Sequence, residues 1–220
     1  MPLQNRVTPF GEIVAIPERG TLMGNRGILH DASSQIRRRW AGRAWISCVL
    51  EFRGRRDPVM APGHYTRLFF LDEPTALAAG HRPCAFCRRA DYLAFRAAWA
   101  QGNVHLGLGP QPRATEIDRA LHGERLGPGG TKRLHPASLD SLPDGVMVGL
   151  SETTHRSLSL PSGDQAYLIW KGGFWAWSPD GYLPHAEKVS AEVLLLTPPS
   201  TVAALAAGYV SGSPAGLTST

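Results

Sequence analysis

Apolar residues along the chain fall into short runs of strand length and into stripes with the period of a helix. Residues 68–71 form one continuous apolar run and residues 44–52 contain another, so both segments are predicted strands. Tyr92, Phe95 and Trp99 stand at positions i, i+3 and i+7. This stripe predicts a helix over residues 90–101 that buries one face.

Two further helices are marked by their first residues. The acidic pair and proline at 72–74 predict a short helix that ends at Gly80, because proline is tolerated in the first turn, where its missing N–H costs nothing. Thr115 is followed three residues later by an acid, Asp118, which is the pattern of a capping box. The chain therefore has three predicted helices before its last third.

The last third is rich in predicted strands. A hairpin turn, Lys171-Gly172-Gly173, separates two of them, and aromatic residues cluster around it. These aromatics either pair across the strands or form a platform for a base or a sugar. The predicted strands are residues 146–150, 166–170, 174–178 and 192–197, and a short helix follows at residues 201–207.

The sharpest motif is the pair in Cys84-Ala85-Phe86-Cys87. This spacing forms a tight turn that directs two thiolates at one tetrahedral metal ion, although it also suits a redox dithiol or two buried thiols. A redox pair of the thioredoxin type lies where a strand leads into a helix, whereas this pair follows a helix end and has arginines on both sides. The context favours a metal.

The stretch FFLDEPTALAAGHRPCAFCRR, residues 69–89, resembles the second half of the zinc module of Ada-type DNA repair proteins, and the resemblance as a whole covers residues 48–89. In that family an AAGxRPCxxC turn delivers two zinc cysteines, and the module repairs methylphosphotriesters on DNA. The resemblance implies a zinc-binding, DNA-facing fold here. The family's first half carries a CxxxC pair that includes the methyl acceptor, whereas only Cys48 precedes the matching stretch in this chain, so methyl transfer is not implied.

The remaining zinc ligands have to come from a small set. Because the chain has three cysteines, a site of four thiolates is excluded within one chain. The candidate set is Cys48, His64, Cys84 and Cys87, with His81 as the alternative to His64. A solvated loop histidine and a buried core thiol are the alternative interpretations of His64 and Cys48.

The charge balance favours an acidic partner only slightly. Lys and Arg number 23 against 18 for Asp and Glu, which gives a net charge of +5 over 220 residues. Arginine forks suit phosphates, so DNA is the expected partner, although a solvated basic hairpin would also explain the charges. The candidate phosphate contacts are Arg53, Arg55, Arg56, Arg82, Arg88 and Arg89.

Two other functions are compatible with the pattern, which leaves open whether the chain is an enzyme. Glu116, Asp118 and His122 could serve a hydrolase or nuclease as acid, base or metal residues, but they also suit an ordinary salt-linked helix surface. The other alternative is a structural or interaction protein in which zinc only staples the fold. No serine-nucleophile elbow, phosphate-binding loop or dinucleotide fingerprint occurs.

These elements predict an α+β protein, with short strands and helices around a zinc-knuckle-like module followed by a small antiparallel sheet. The predicted segments are 1–101 for the zinc-containing domain, 102–137 for a loop and connector helix, 138–210 for the β-rich part and 211–220 for a disordered tail. Without a secretory signal or an apolar run of membrane-spanning length, a cytoplasmic protein is expected. The opening MPLQNRVTPFGEI also resembles an uncharacterised bacterial protein family, which adds no activity.

Overall fold

The computed structural model describes residues 1–54, 59–150, 165–185 and 192–217. Within these residues the chain forms two six-stranded sheets and four α-helices, which confirms the predicted α+β class. Among these helices, none has the length and apolar character needed to cross a membrane.

The first sheet is mixed and is built from short strands of the N-terminal part. The strands are β1 (Arg6–Val7), β2 (Ile13–Val14), β3 (Leu22–Asn25), β4 (Ile46–Cys48), β5 (Leu68–Phe70) and β6 (Arg82–Pro83). Their order in the sheet is β2-β1-β5-β3-β4-β6, with parallel pairing between β1 and β5 and between β4 and β6.

Helix α1 (Glu73–Ala78) connects β5 to β6 and is wholly buried. The Asp72 carboxylate caps it by accepting hydrogen bonds from the N–H and the hydroxyl of Thr75, at 3.0 and 2.7 Å. Gly80 ends it with a φ of +85°, and a Cβ there would lie 2.6 Å from Cδ of Arg125. The predicted start and end of this helix are therefore confirmed, and only glycine fits at the end.

Helices α2 (Arg89–Gly102), α3 (Ala114–Arg125) and α4 (Pro199–Ala206) bury their apolar stripes together. Phe95 and Trp99 are completely buried, as the spacing predicts.

Helix α3 begins earlier than the Thr115 pattern suggests. The capping acid is Glu116, whose carboxylate accepts a 2.6 Å hydrogen bond from the Arg113 N–H, and this leaves Asp118 for another partner.

The second sheet is antiparallel. Its strands are β7 (His135–Ser138), β8 (Met147–Leu150), β9 (Ala166–Trp170), β10 (Gly173–Ser178), β11 (Gly181–His185) and β12 (Glu192–Leu195). Their order in the sheet is β11-β10-β9-β8-β12-β7. Successive side chains along a strand point to opposite faces, so they enter two different cores. Val148 and Tyr167 point to the helices α2 to α4, whereas Met147 and Leu168 point to α1.

Tryptophans of the β9–β10 hairpin, which the sequence offered as a ligand platform, are partly buried against the core beside α1. The Trp177 indole donates a 3.1 Å hydrogen bond to the Thr75 hydroxyl of α1. The Tyr167 and Phe174 rings stack on the opposite face, with centroids 4.5 Å apart. Packing thus accounts for these aromatics.

A buried ion pair lies where β4, α1 and α2 meet. Arg88 lies 2.8 Å from Glu73 of α1, 2.8 Å from Asp91 of α2 and 2.9 Å from the Ser47 hydroxyl of β4. Glu73 also accepts hydrogen bonds from the Tyr209 hydroxyl and the N–H of Gly212. The segment predicted as a disordered tail thus begins with residues that contact α1. The predicted domain boundaries near residues 101 and 137 stay predictions.

We expect Glu73→Gln to lower the free energy of unfolding by about 3–5 kcal/mol, because it leaves the buried Arg88 charge without its buried partner. Asp91→Asn is the matched control, since it removes the exposed partner of the same arginine and should cost at most about 1 kcal/mol. Urea unfolding measures both values. Equal losses in the two variants would contradict this account of the ion pair.

Candidate metal centre

The centre starts from the parallel pairing of β4 with β6. Ile46 pairs with Arg82 and Ser47 with Pro83, and the Cys84 N–H then donates a 2.9 Å hydrogen bond to the Ser47 carbonyl. One position further along, the same register places Cys84 beside Cys48. Residues 36 positions apart in sequence thereby become neighbours through a strand of two residues.

The CxxC turn brings the third sulfur back to the other two. The Phe86 N–H donates to Sγ of Cys84 at 3.4 Å, and the Arg88 N–H donates to the Cys84 carbonyl at 3.1 Å as the chain enters α2. The Sγ atoms of Cys48, Cys84 and Cys87 all lie within 4.8 Å of one another. These cysteines are close enough to bind a metal ion, and no comparable group of three His, Cys, Asp or Glu ligands occurs among the residues described.

The surroundings keep this cluster largely away from water. Cys48 and Cys84 are buried, Cys87 is half-buried, and all three cysteines are free thiols. On the other side of Cys48, Met23 is its cross-strand partner, and Sδ of Met23 accepts a 3.1 Å hydrogen bond from Arg67. The partly buried side chains of Ile46, Tyr65 and Phe69 pack against the same cluster.

The three thiols differ in pKa, and therefore in how readily each loses its proton. A hydrogen bond from the Cys48 thiol lowers the pKa of Cys84 to about 5, burial opposes the shift, and N–H donors of Cys87 and Phe86 support it. The pKa of Cys48 is raised by its hydrogen bond to Cys84 and by burial, and burial raises the pKa of Cys87. These shifts favour Cys84 as the cysteine that carries negative charge in the cluster.

The two candidate histidine ligands lie elsewhere. His64 is exposed and does not belong to the group of sulfur atoms. His81 is buried, and its Nε2 accepts a 3.1 Å hydrogen bond from Nε of Arg26. Burial, followed by the charges of Arg26 and Arg125, lowers the pKa of His81 well below its ordinary value, so this imidazole is neutral.

The predicted phosphate contacts divide by burial. Arg82 is buried and forms two 2.8 Å hydrogen bonds with the Asp118 carboxylate, and Arg88 is buried against Glu73. Both guanidinium groups are already paired inside the protein, so they do not face a ligand. The two exposed candidates are Arg53 and Arg89, while Arg55 and Arg56 lie outside the described residues.

The three residues considered for hydrolysis have separate partners. Both carboxylate oxygens of Asp118 bind Arg82, and Glu116 caps α3. Nδ1 of His122 lies 3.2 Å from Nη2 of Arg125, and burial and this arginine lower the pKa of His122. These contacts give each residue a structural role.

Sequence reasoning missed a group of buried cations around Trp45. Arg26 and Arg125 are each 1% exposed. The only sequence signal was the apolar neighbourhood of Trp45, which does not identify its cationic partners.

Comparison of the chain with protein-family models, with curated proteins and with solved structures finds no match.

We expect the metal-free, reduced protein to show one thiolate that persists in ultraviolet absorbance as the pH falls to about 5. Because the pKa of Cys84 is lower in the folded chain than in the unfolded chain, the ionised Cys84 stabilises the fold. This stabilisation is fully present when the pH is above the ordinary pKa of a cysteine thiol. That stability is lost as the pH falls through about 5. Cys84→Ser should abolish the absorbance step, whereas Cys87→Ser should keep it, and the reverse result would contradict the assignment.

Proposed function

We propose that this protein is a zinc-binding, DNA-binding protein whose zinc is held by Cys48, Cys84 and Cys87. The observation that carries the metal part is the approach of the three Sγ atoms to within 4.8 Å of one another. Bonds of about 2.3 Å from zinc place tetrahedral sulfur ligands about 3.8 Å apart. A small closure of the cluster is enough to reach that geometry.

The donor set also suits zinc chemically. Thiolates are soft ligands that favour zinc over magnesium or calcium, and N–H donors of the turn already offset negative charge on Cys84. Binding converts thiols into thiolates and so releases protons. The metal would then fasten β4 to the start of α2, which is a structural role.

The fourth position of a tetrahedral ion would be filled from outside the cysteine cluster. His64 can reach it only if its exposed loop moves, and His81 is held by Arg26. Three protein ligands with one open position leave room for water or a ligand atom of a partner. The position four residues after Cys48 is Phe52, so the second cysteine of the Ada pair is absent and methyl transfer is not proposed.

DNA is the proposed partner because of the surface beside the CxxC turn, together with the resemblance to Ada-type modules. Phe86 is 59% exposed at the tip of the turn. The Arg53 guanidinium lies 5.1 Å from the Phe52 ring and 5.7 Å from the Phe86 ring, and Arg89 is exposed one turn further on. An exposed aromatic ring between arginines suits a nucleic acid backbone and its bases.

Elemental analysis of tag-free protein should find about one zinc per chain, and Cys84→Ser should lose it because two thiolates cannot hold the ion in this cluster. His64→Ala should retain the metal if the fourth ligand comes from elsewhere. Loss of zinc in His64→Ala would instead assign that residue as the fourth ligand. Absence of metal from protein purified under reducing, chelator-free conditions would contradict the zinc proposal.

Affinity for a short DNA duplex should fall steeply with salt, because phosphate contacts release counterions. Arg53→Gln and Arg89→Gln should each reduce the slope of log K against log salt by about 1. Arg113→Gln, an exposed arginine outside the CxxC turn, is the matched control and should leave the slope unchanged. An affinity that does not change between low and moderate salt would rule out DNA as the partner while leaving the zinc proposal intact.

A further inference from the structure

Two fully buried arginines share one tryptophan at the edge of the first sheet. The guanidinium carbons of Arg26 and Arg125 lie 4.0 and 3.9 Å from the centre of the Trp45 ring. Lys132 is close by and donates a hydrogen bond to the Ala78 carbonyl. This group of cations is separate from the cysteine cluster and from the arginines assigned above to DNA.

Neutral groups hold both arginines in place. Arg26 donates to the Gly11 carbonyl at 3.0 Å and to the neutral His81 ring at 3.1 Å. Arg125 donates to the carbonyls of Gly80 and Arg43, at 2.8 and 2.7 Å. In the described part of the chain neither arginine has a carboxylate within ion-pair distance. Buried charges in proteins are normally paired, so these two are exceptions.

Some donor groups of this cluster also have no hydrogen-bond partner. Nη2 of Arg26 and Nε of Arg125 are buried, and neither has a partner among the residues that the structure describes. Buried N–H groups of this kind are rare because each one gives up its hydrogen bonds to water. The surplus of donors and the surplus of positive charge therefore occur on the same two residues.

Both arginines line a small cavity of about 30 Å³. Lys132 also lines it, and the exposed residues Arg39, Trp40 and Glu12 surround its mouth. The cavity is thus lined by four basic side chains and by the single carboxylate of Glu12. Because the cavity is small and opens to solvent between these residues, it admits one small group rather than a whole metabolite.

Mutual repulsion of these cations supports the same interpretation. Burial, together with the charges of Arg125 and Arg39, lowers the pKa of Arg26 to about 9. Burial and the charges of Arg26 and Arg125 lower the pKa of Lys132 to about 7. An anion in the cavity would offset the repulsion between these cations, whereas a water molecule would supply hydrogen bonds but no charge.

We propose that this cavity binds one phosphate group, either as inorganic phosphate or as the terminal group of a phosphomonoester. A dianion with oxygens in several directions matches donors that converge from different elements, and it offsets more of the positive charge than a carboxylate does. Trp40 at the mouth would then contact the organic part of a phosphomonoester.

The test is calorimetric titration with inorganic phosphate at constant ionic strength, with chloride as the reference anion. Wild-type protein should bind phosphate with a stoichiometry of about one. Arg26→Gln should weaken binding about tenfold or more, because a hydrogen bond to a charged group is lost. Arg39→Gln should weaken it several-fold, and since Arg39 is exposed this variant also covers the case in which Arg26→Gln does not fold.

Arg113→Gln is the matched control and should bind phosphate like wild type. Arg113 precedes α3, whose 12 residues place it about 18 Å from the Arg125 end. A nucleoside monophosphate that competes with phosphate would identify a phosphomonoester as a further source, and failure to compete would identify the free ion. The proposal is overturned if phosphate produces no more heat than chloride, or if Arg39→Gln and Arg113→Gln bind it equally.

Discussion

The ion pair between Arg88 and Glu73 is the contact on which the rest of the arrangement depends. Arg88 directly follows Cys87, the last residue of the CxxC turn. Because Arg88 is paired with Glu73 of α1, this ion pair also fixes the position of Cys87. The same arginine reaches Ser47 beside Cys48, and Glu73 continues to Tyr209 near the C-terminal end. One buried charge pair therefore joins α1 to the start of α2, beside the cysteines, and reaches the segment after α4. Metal binding would add to a geometry that these protein contacts already define.

Buried arginines in this protein are of two kinds, and the difference separates structure from function. Arg82 and Arg88 have buried carboxylate partners, so their cost of burial is compensated within the fold. Arg26 and Arg125 have carbonyls, an imidazole and the Trp45 ring. Cation–π contact offsets only part of the lost hydration. Arg26 and Arg125, whose buried charges lack a carboxylate partner among the described residues, are therefore the arginines that indicate a ligand.

The sequence predicted local features well because their signals are local. The Asp72 cap, the Gly80 stop and the stripe of α2 each lie within one element, and all three occur in the structure. Pairing of β4 with β6 was not predictable, since β6 has two residues and one is proline. The bond of Arg82 to Asp118 joins residues 36 apart, which is why the sequence suggested a phosphate contact and a catalytic acid instead. Cys48 was correctly grouped with the CxxC pair, whereas His64 was not brought to it.

Trp45 and Cys48 stand three residues apart on one short segment, so the cation cluster and the sulfur cluster are only about 10 Å apart along the backbone. A shift of β4 that accompanied binding at one site would also move the residue that serves the other, and this would couple the two sites. Such coupling is reciprocal: if metal raises affinity for an anion by some factor, the anion raises affinity for metal by the same factor. Strand β4 would then couple the binding of a metal ion at one site to the binding of an anion at the other.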